Sequence, residues 1–299
     1  MSILIGTRGS RLALAQAEWV ADRLRELGAS VELKVVRTQG DADAKARAEM
    51  GTGVFVKEIE EALRRGEVSL AVHSLKDLPT GTRDGLTLAA VPEREDPSDA
   101  LVTRDRATLS GLSPGGRVGT GSARRIAQLR AARPDLSFLP IRGNVDTRLR
   151  KLDQDDYDAL VLASAGLVRL GLEARIAQRL PFDICLPAPG QGALALQARE
   201  DDPEMATFVS QLDHAPSRAA VSAERAFLEQ LGGGCAIPVG ALAEVDGERM
   251  FLDGVVAGQD GEVLLRERRE GPASSPQALG AELAQQLLAM GADRLVARC

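Results

Sequence analysis

Aromatic side chains make up only 3% of the sequence, with one Trp and one Tyr. Proteins that hold single-stranded nucleic acid rely on aromatic stacking platforms, so this scarcity argues against that class. Positive charge is not in excess either. The formal net charge is −6, which argues against a general affinity for nucleic acid or an anionic membrane. Any anion site must be local, built from arginines placed for it. The three cysteines, Cys185, Cys235 and Cys299, are far apart, no C-x-x-C pair occurs, and the only histidines are His73 and His214. A zinc site, an iron–sulfur cluster and a disulfide framework are therefore not expected. No run approaches about twenty apolar residues. The start, Met-Ser-Ile-Leu-Ile-Gly-Thr-Arg, has no basic segment leading into a long apolar core. These absences point to a cytoplasmic protein with reduced thiols. A phosphate-binding Gly-x-x-x-x-Gly-Lys-Ser/Thr loop is missing too. Gly119-Thr120-Gly121-Ser122 lacks the lysine, which weakens an NTPase reading.

What remains is an ordinary globular composition, 44% hydrophobic and 27% charged, in a chain too long for one comfortable core. Ile3 to Gly6 reads as a strand. A helix follows with Leu12, Ala15, Trp19, Ala21 and Leu24 on its apolar side, ended by Gly28. Val31 to Val36 is a second strand. The polar stretch 42–51 has no apolar period and reads as a mobile loop. Phe55, Ile59, Ala62 and Leu63 mark a helix, and strands are expected near Leu70 and over Leu86 to Val91. The charged, proline-bracketed segment 92–97 reads as a crossing between domains. A second α/β unit follows: a junction at 117–122, a helix to Arg133, a strand Leu136 to Ile141, a helix Thr147 to Leu152, a strand Ala159 to Ala163 and a helix around Leu167 to Leu172. Leu186 to Gly192 is a second crossing, after which Ala193 to Gln197 returns to the first domain as a strand. From Ser217 the pattern changes to one helix, three strands around 239–245, 251–257 and 263–269 with hairpin signals at Asp246-Gly247 and Asp260-Gly261, and a last helix Pro276 to Met290. Three domains are expected: 1–92 with 193–212, then 97–188, then a small α+β domain over 216–299.

One stretch stands out. Leu70 to Pro79 opens as a buried strand and breaks into His73, Ser74, Lys76 and Asp77. Polar groups at the carboxyl end of such a strand are where open α/β sheets bind ligands. A carboxylate beside an ammonium and an imidazole suits proton chemistry or the stabilisation of a developing charge. A solvated turn, with His73 packed on the sheet, explains the same residues.

A second pattern is a repeated local conflict. Arg8 and Arg11, Arg124 and Arg125, Arg142 and Arg148 lie where a strand hands over to a helix, and Arg169 follows Ser164 closely. Helix starts already carry partial positive charge, which disfavours a cation by about 0.3–1 kcal/mol each. Repeating that mismatch on two α/β units indicates function, since helix amides plus arginine forks bind carboxylates or phosphates. The expectation is a cleft between two lobes for a ligand with several negative groups. Cys235 lies in Gly-Gly-Gly-Cys-Ala-Ile-Pro, where the glycines allow close approach of another group. Nucleophile, attachment point and inert buried thiol are all open to it.

Six segments in order, Arg-Gly-Ser-Arg-Leu-Ala-Leu-Ala-Gln, Val-His-Ser-Leu-Lys-Asp-Leu-Pro-Thr, Ser-Ala-Arg-Arg, Arg-Gly-Asn-Val-Asp-Thr-Arg-Leu, Leu-Pro-Ala-Pro-Gly-Gln-Gly-Ala and Gly-Gly-Gly-Cys-Ala-Ile-Pro-Val-Gly, resemble the porphobilinogen deaminase (hydroxymethylbilane synthase) family. The resemblance implies an α/β fold of two periplasmic-binding-protein-like lobes with mixed sheets, plus the small C-terminal α+β domain. It implies a transferase that deaminates four porphobilinogen molecules and joins them head to tail on a covalent dipyrromethane, then releases a linear tetrapyrrole by hydrolysis. Under it Asp77 is the catalytic aspartate, and Cys235 carries the cofactor by a thioether. Ser74, Lys76, Thr120, Ser122, Arg124, Arg125 and Asp41 contact the cofactor, while Arg8, Ser10, Arg142, Arg148 and Arg169 bind substrate carboxylates. No metal, nucleic acid or membrane partner is implied. A monomer is, with hand-over of product to uroporphyrinogen-III synthase. One departure is Thr52, where several relatives carry a lysine. That lysine's work then falls to Lys45, Arg47, Lys57 or to no residue.

Overall fold

A computed structural model of the chain describes residues 1–36, 56–81, 84–232, 238–258 and 261–296. Two compact units emerge, Met1–Glu95 with Ala193–Arg218 and Asp96–Gly192 with Ala219–Cys299.

The first unit is built on a five-stranded sheet of order β2-β1-β3-β10-β4. Its strands are β1 (Ser2–Thr7), β2 (Ser30–Val35), β3 (Leu70–Ser74), β4 (Leu86–Ala90) and β10 (Leu194–Arg199). β1 runs parallel to β2 and β3, while β10 is antiparallel to both β3 and β4. The expected return of the chain after the second crossing is thus a sheet strand. Helix α1 (Arg11–Glu26) buries Gln16, Ala17, Val20, Ala21 and Leu24. This corrects the expected face. The stripe 17, 20, 21, 24 keeps the helical period, and Trp19 falls off it, 37% exposed with the Arg23 guanidinium 5.4 Å from its ring centre. Ile3, Ile5, Val31, Leu70, Val72 and Leu196 meet that stripe. Alternate residues of the same strands face the other way, where Ala71 packs with Ile59, Ala62 and Leu63 from α2 (Lys57–Arg64). Helix α6 (Pro203–Val209) escaped the periodicity reading because it is short, although Asp202 caps it and Pro203 opens it.

The second unit carries two sheets. The first, of order β7-β6-β8-β5-β9, contains β5 (Asp99–Thr103), β6 (Arg117–Gly119), β7 (Ser137–Leu139), β8 (Ala159–Ala163) and β9 (Gln178–Arg179). β6 is parallel to β7 and β8, and β5 is antiparallel to β8 and β9. Strands β5 and β9 were not expected. β5 opens on a charged residue and β9 has only two residues, so neither shows as an apolar run. The helices are α3 (Ala123–Ala132), α4 (Val145–Asp153) and α5 (Ser164–Arg169). Gly119 is a close-packing position: a Cβ there would lie 2.6 Å from Leu160 and 2.8 Å from Tyr157.

The small C-terminal α+β domain has an antiparallel sheet β11-β12-β13 of Val239–Asp246, Arg249–Ala257 and Leu264–Pro272. The Asp246-Gly247 hairpin is present, with Gly247 at φ +59. Helices α7 (Ala215–Gln230) and α8 (Pro276–Ala289) supply Phe227, Leu279, Leu283 and Leu287 to its core, and a short α9 (Ala292–Val296) follows. No helix among the described residues is long and apolar enough to cross a membrane.

Candidate active site

In each five-stranded sheet two parallel strands leave a point where the chain order reverses. In the first unit it is between β1 and β3, whose carboxyl ends flank the usual ligand position of an open α/β sheet. β1 delivers Thr7, Arg8 and Ser10 there. Thr7 is buried and its hydroxyl donates to the Ala13 carbonyl at 3.1 Å. Ser10 caps α1, its Oγ accepting from the Ala13 N–H at 3.3 Å. β3 delivers Ser74, Lys76 and Asp77. The Ser74 hydroxyl is joined to the Gln16 amide of α1, with Gln16 Nε2 donating to it at 2.9 Å, so the end of β3 is tied to α1.

The chain after β3 makes one 3-10 turn, Leu75–Asp77. Leu75 and Leu78 are buried, which leaves Lys76 and Asp77 half-buried between them. The Leu75 N–H donates to the Ala193 carbonyl at 3.0 Å and the Leu78 N–H closes the turn on the Leu75 carbonyl. The Asp77 carboxylate makes no hydrogen bond or ion pair with the described residues. His73 is buried on β3 opposite Ala195. Asp41, Cys235 and Thr52, and with them Lys45 and Arg47, lie outside the described residues, as does the stretch 42–51. Lys57 is exposed on α2, 4.0 Å from Glu61.

In the second unit the reversal is between β6 and β8. Thr120 and Ser122 follow β6. Thr120 is fully buried, its Oγ1 accepting from the Ser122 N–H at 3.3 Å, and Ser122 caps α3 by accepting from the Arg125 N–H. Arg124 and Arg125 turn inward onto Asp99, the first residue of β5. Arg124 Nη1 donates to Asp99 Oδ2 at 2.6 Å and to the Leu186 carbonyl at 2.6 Å. Arg125 donates from Nε and Nη2 to Asp99 Oδ1 at 2.9 and 2.6 Å, and from Nη1 to the Val161 carbonyl at 2.8 Å. At this helix one of the two mismatched charges is therefore balanced from within the protein. Burial works to raise the Asp99 pKa, but Arg124 and Arg125 outweigh it and hold the carboxyl far below its ordinary range. Burial also pushes the neighbouring Cys185 thiol up to about 12, with the Asp99 charge adding to it, so Cys185 is an un-ionised, inert thiol.

Two guanidinium groups on one carboxylate leave one positive charge in excess. The other arginines differ. Arg142 is exposed in the loop after β7. Asn144 caps α4 and accepts from the Thr147 N–H at 2.9 Å. Arg148 folds back so that its Nε donates to the Gly143 carbonyl at 2.8 Å. Gly143 is at φ +115, a left-handed geometry glycine accepts readily. Arg148 has no ion pair with the described residues. Burial, then the Arg125 charge, lowers its pKa, the condition of a cation that an arriving anion would relieve. Arg169 closes α5 instead of opening a helix, and its Nη2 donates to the Gly192 carbonyl of the second crossing at 2.7 Å. No group of three metal-ligating side chains occurs among the described residues.

Sequence reasoning missed Asp99, Gln16 and Gln191. The last donates from Nε2 to Asp99 Oδ1 at 2.9 Å and to the Pro97 carbonyl at 2.8 Å. A signal for Asp99 existed: an acid two residues after Pro97 that opens the apolar run Ala100-Leu101-Val102 needs a cation if that run is buried.

Residues 3–207 match the family model "Porphobilinogen deaminase, dipyromethane cofactor binding domain" and residues 219–289 match "Porphobilinogen deaminase, C-terminal domain". A porphobilinogen deaminase from Desulforudis audaxviator is 53% identical over 99% of this chain and 97% of that protein. One from Pelotomaculum thermopropionicum is 49% identical over 99% and 96%. Among solved structures, a periplasmic substrate-binding protein of an ABC transporter from Coxiella burnetii overlays with a TM-score of 0.43 at 15% identity, over 75% of this chain and 96% of that one. That likeness is too loose to carry an argument.

Proposed function

The chain belongs to the porphobilinogen deaminase family and is an enzyme of tetrapyrrole synthesis, and from that premise we propose that it is a hydroxymethylbilane synthase. It is a transferase that joins four porphobilinogen molecules head to tail with loss of ammonia, on a dipyrromethane held by Cys235, and releases the linear tetrapyrrole by hydrolysis. The observation that carries this reading is Asp77, a half-buried carboxylate at the end of β3 that has no hydrogen bond or ion pair with the described residues. An acid left available at a strand end beside Lys76, Arg8 and Ser10 suits a substrate with both N–H donors and carboxylates.

Asp77 accepts the substrate's pyrrole N–H and balances the positive charge that grows on the ring as ammonia departs. One preorganised group of this kind contributes about 3–4 kcal/mol. Arg8 and Ser10 take the acetate and propionate arms of the substrate, and Lys76 those of the cofactor. Ser10 keeps its hydroxyl proton for this, because at the helix cap its oxygen accepts. The donor set of the second unit fits the cofactor. The charge in excess at Arg124 and Arg125 suits a group whose two rings carry two carboxylates each, while the partly desolvated Arg148 and the exposed Arg142 suit the carboxylates of the substrate. When bound, the dipyrromethane supplies the pyrrole carbon to which the first substrate ring is joined. The small sheet over β11 to β13 supports reading the second unit as two domains, 97–188 and 216–299, beside a first domain of 1–92 and 193–212. A cytoplasmic, monomeric enzyme that hands its product to uroporphyrinogen-III synthase completes the proposal.

Ammonia release on addition of porphobilinogen tests it. Asp77→Asn, shown folded by circular dichroism, loses about 100- to 1,000-fold in rate, while His73→Gln keeps most of it. Near-normal release from Asp77→Asn with a dead His73→Gln reverses the assignment.

A further inference from the structure

The second unit holds a buried acid for which the chemistry above has no use. Asp99 is fully buried, and both of its oxygens are occupied. Oδ1 accepts from Arg125 and from Gln191, and Oδ2 accepts from Arg124 at 2.6 Å and from the Cys185 thiol at 3.4 Å. Arg124 and Arg125 are consecutive on α3, so their side chains leave the helix about 100° apart. One carboxylate that takes both, through different oxygens, fixes the rotation of the first turn of α3. Thr120 and Ser122 are joined to that same turn by the hydrogen bonds that cap it.

We propose that Asp99 is a positioning residue for carboxylate recognition in the second unit. Through Arg124 and Arg125 it sets the orientation of the Thr120–Arg125 stretch and limits the excess positive charge there to one, matched to a carboxylate arm of the dipyrromethane. Gln191 assists by donating from Nε2 to both Oδ1 and the Pro97 carbonyl. The inference rests on the reading that Arg124 and Arg125 serve the cofactor's carboxylates, and the test separates the two.

Apoprotein made in a host unable to form porphobilinogen is given porphobilinogen, and uptake of the dipyrrole mass is timed by intact-mass spectrometry. Asp99→Asn places an N–H donor against a guanidinium and loads about 10- to 100-fold more slowly. Leu152→Ala, a core truncation in the same lobe, provides a variant of lowered melting temperature that loads at the normal rate. If Leu152→Ala slows loading as much as Asp99→Asn at equal loss of melting temperature, Asp99 is only structural and the inference falls. Gln191→Leu keeps all three charges and removes one donor from Oδ1. It slows loading about two- to tenfold, and normal loading in it beside slow loading in Arg124→Gln overturns the inference even where Asp99→Asn does not fold. If Arg124→Gln and Arg125→Gln both load normally, the carboxylate reading of the arginines is what has failed, and the inference falls with it.

Discussion

The two five-stranded lobes share one strand order and treat their acids in opposite ways. In the first, Asp77 follows a strand end and stays half-buried with no partner among the described residues. In the second, Asp99 begins a strand, is fully buried and is held by two arginines and a glutamine. The first lobe therefore keeps a negative charge available for a cation that forms during reaction. The second consumes its negative charge internally and keeps a positive one for a ligand that arrives already anionic. The same topology serves both because the reversal point of the sheet fixes only where a ligand binds. The sign of the site is set by which charges the fold neutralises.

The comparison breaks most readily on stability. Removing Asp99 as Asp99→Ala strands two buried guanidinium groups, and urea unfolding is expected to show a loss of about 3–5 kcal/mol. Asp77→Ala removes no hydrogen bond to the described residues and stays within about 0.5 kcal/mol. Similar losses for both would erase the distinction drawn between them.

A smaller effect sharpens the point that the second unit uses buried acids as structure. Glu224 on α7 is fully buried, with Oε2 accepting from the Gly190 N–H at 2.7 Å and Oε1 from the Ala243 N–H at 2.9 Å. In Glu224→Gln one of these N–H groups meets an NH₂, and the expected loss is about 1–3 kcal/mol. An unchanged unfolding curve would mean that the acid's charge and second oxygen are dispensable there.

Arg148 tests the ligand-facing side. Its pKa is lowered by burial and by Arg125, and it has no ion pair with the described residues, so Arg148→Gln costs no more than its hydrogen bond to the Gly143 carbonyl, about 0.5–1.5 kcal/mol. Turnover falls about tenfold or more, as for loss of one charge-assisted hydrogen bond. A loss of stability as large as that expected for Asp99→Ala would make Arg148 a structural group instead of a ligand-facing one.

The smallest effect comes from pH. Asp158 is half-buried, and its carboxyl is held down to about 2 by hydrogen bonds first from the Arg117 side chain and then from its N–H. A depressed carboxylate stabilises the fold fully above its unfolded value of about 4 and loses that contribution as pH falls toward the folded value. Acid melts of Asp158→Asn should therefore lie below wild type at neutral pH by at most about 1 kcal/mol and converge with it near pH 2. Asp99 follows the same sign with its folded value lower still, so its share of stability persists to more acid pH.

Much of this was legible in the residue order. Apolar runs at 3–6, 70–72 and 159–163 matched strands because a buried parallel strand must be apolar on both faces, whereas 31–36, which contains Glu32 and Lys34, matched the partly exposed edge strand β2. Asp77 could be singled out because the apolar run of β3 breaks into polar residues ahead of Pro79, at the strand end where open α/β sheets bind ligands. Arg142 and Arg148 were visible as a mismatch with the start of α4. Trp19 was misplaced because a large side chain weighs heavily in any apolar pattern, although the period of Ala17, Val20, Ala21 and Leu24 decides the face. Strand β5 was invisible because its first residue is charged, and that charge is acceptable only where Arg124 and Arg125 arrive from 25 and 26 positions away.

By itself the sequence determined the fold class, most of the elements and the family, since these depend on local periodicity, turn chemistry and short motifs. Only the tertiary structure decided which arginines are neutralised and which remain for a ligand. A guanidinium reads the same in the sequence whether it meets Asp99 or solvent, and the Coulomb energy that distinguishes the two depends on distance and burial, quantities that exist only once the strands are assembled.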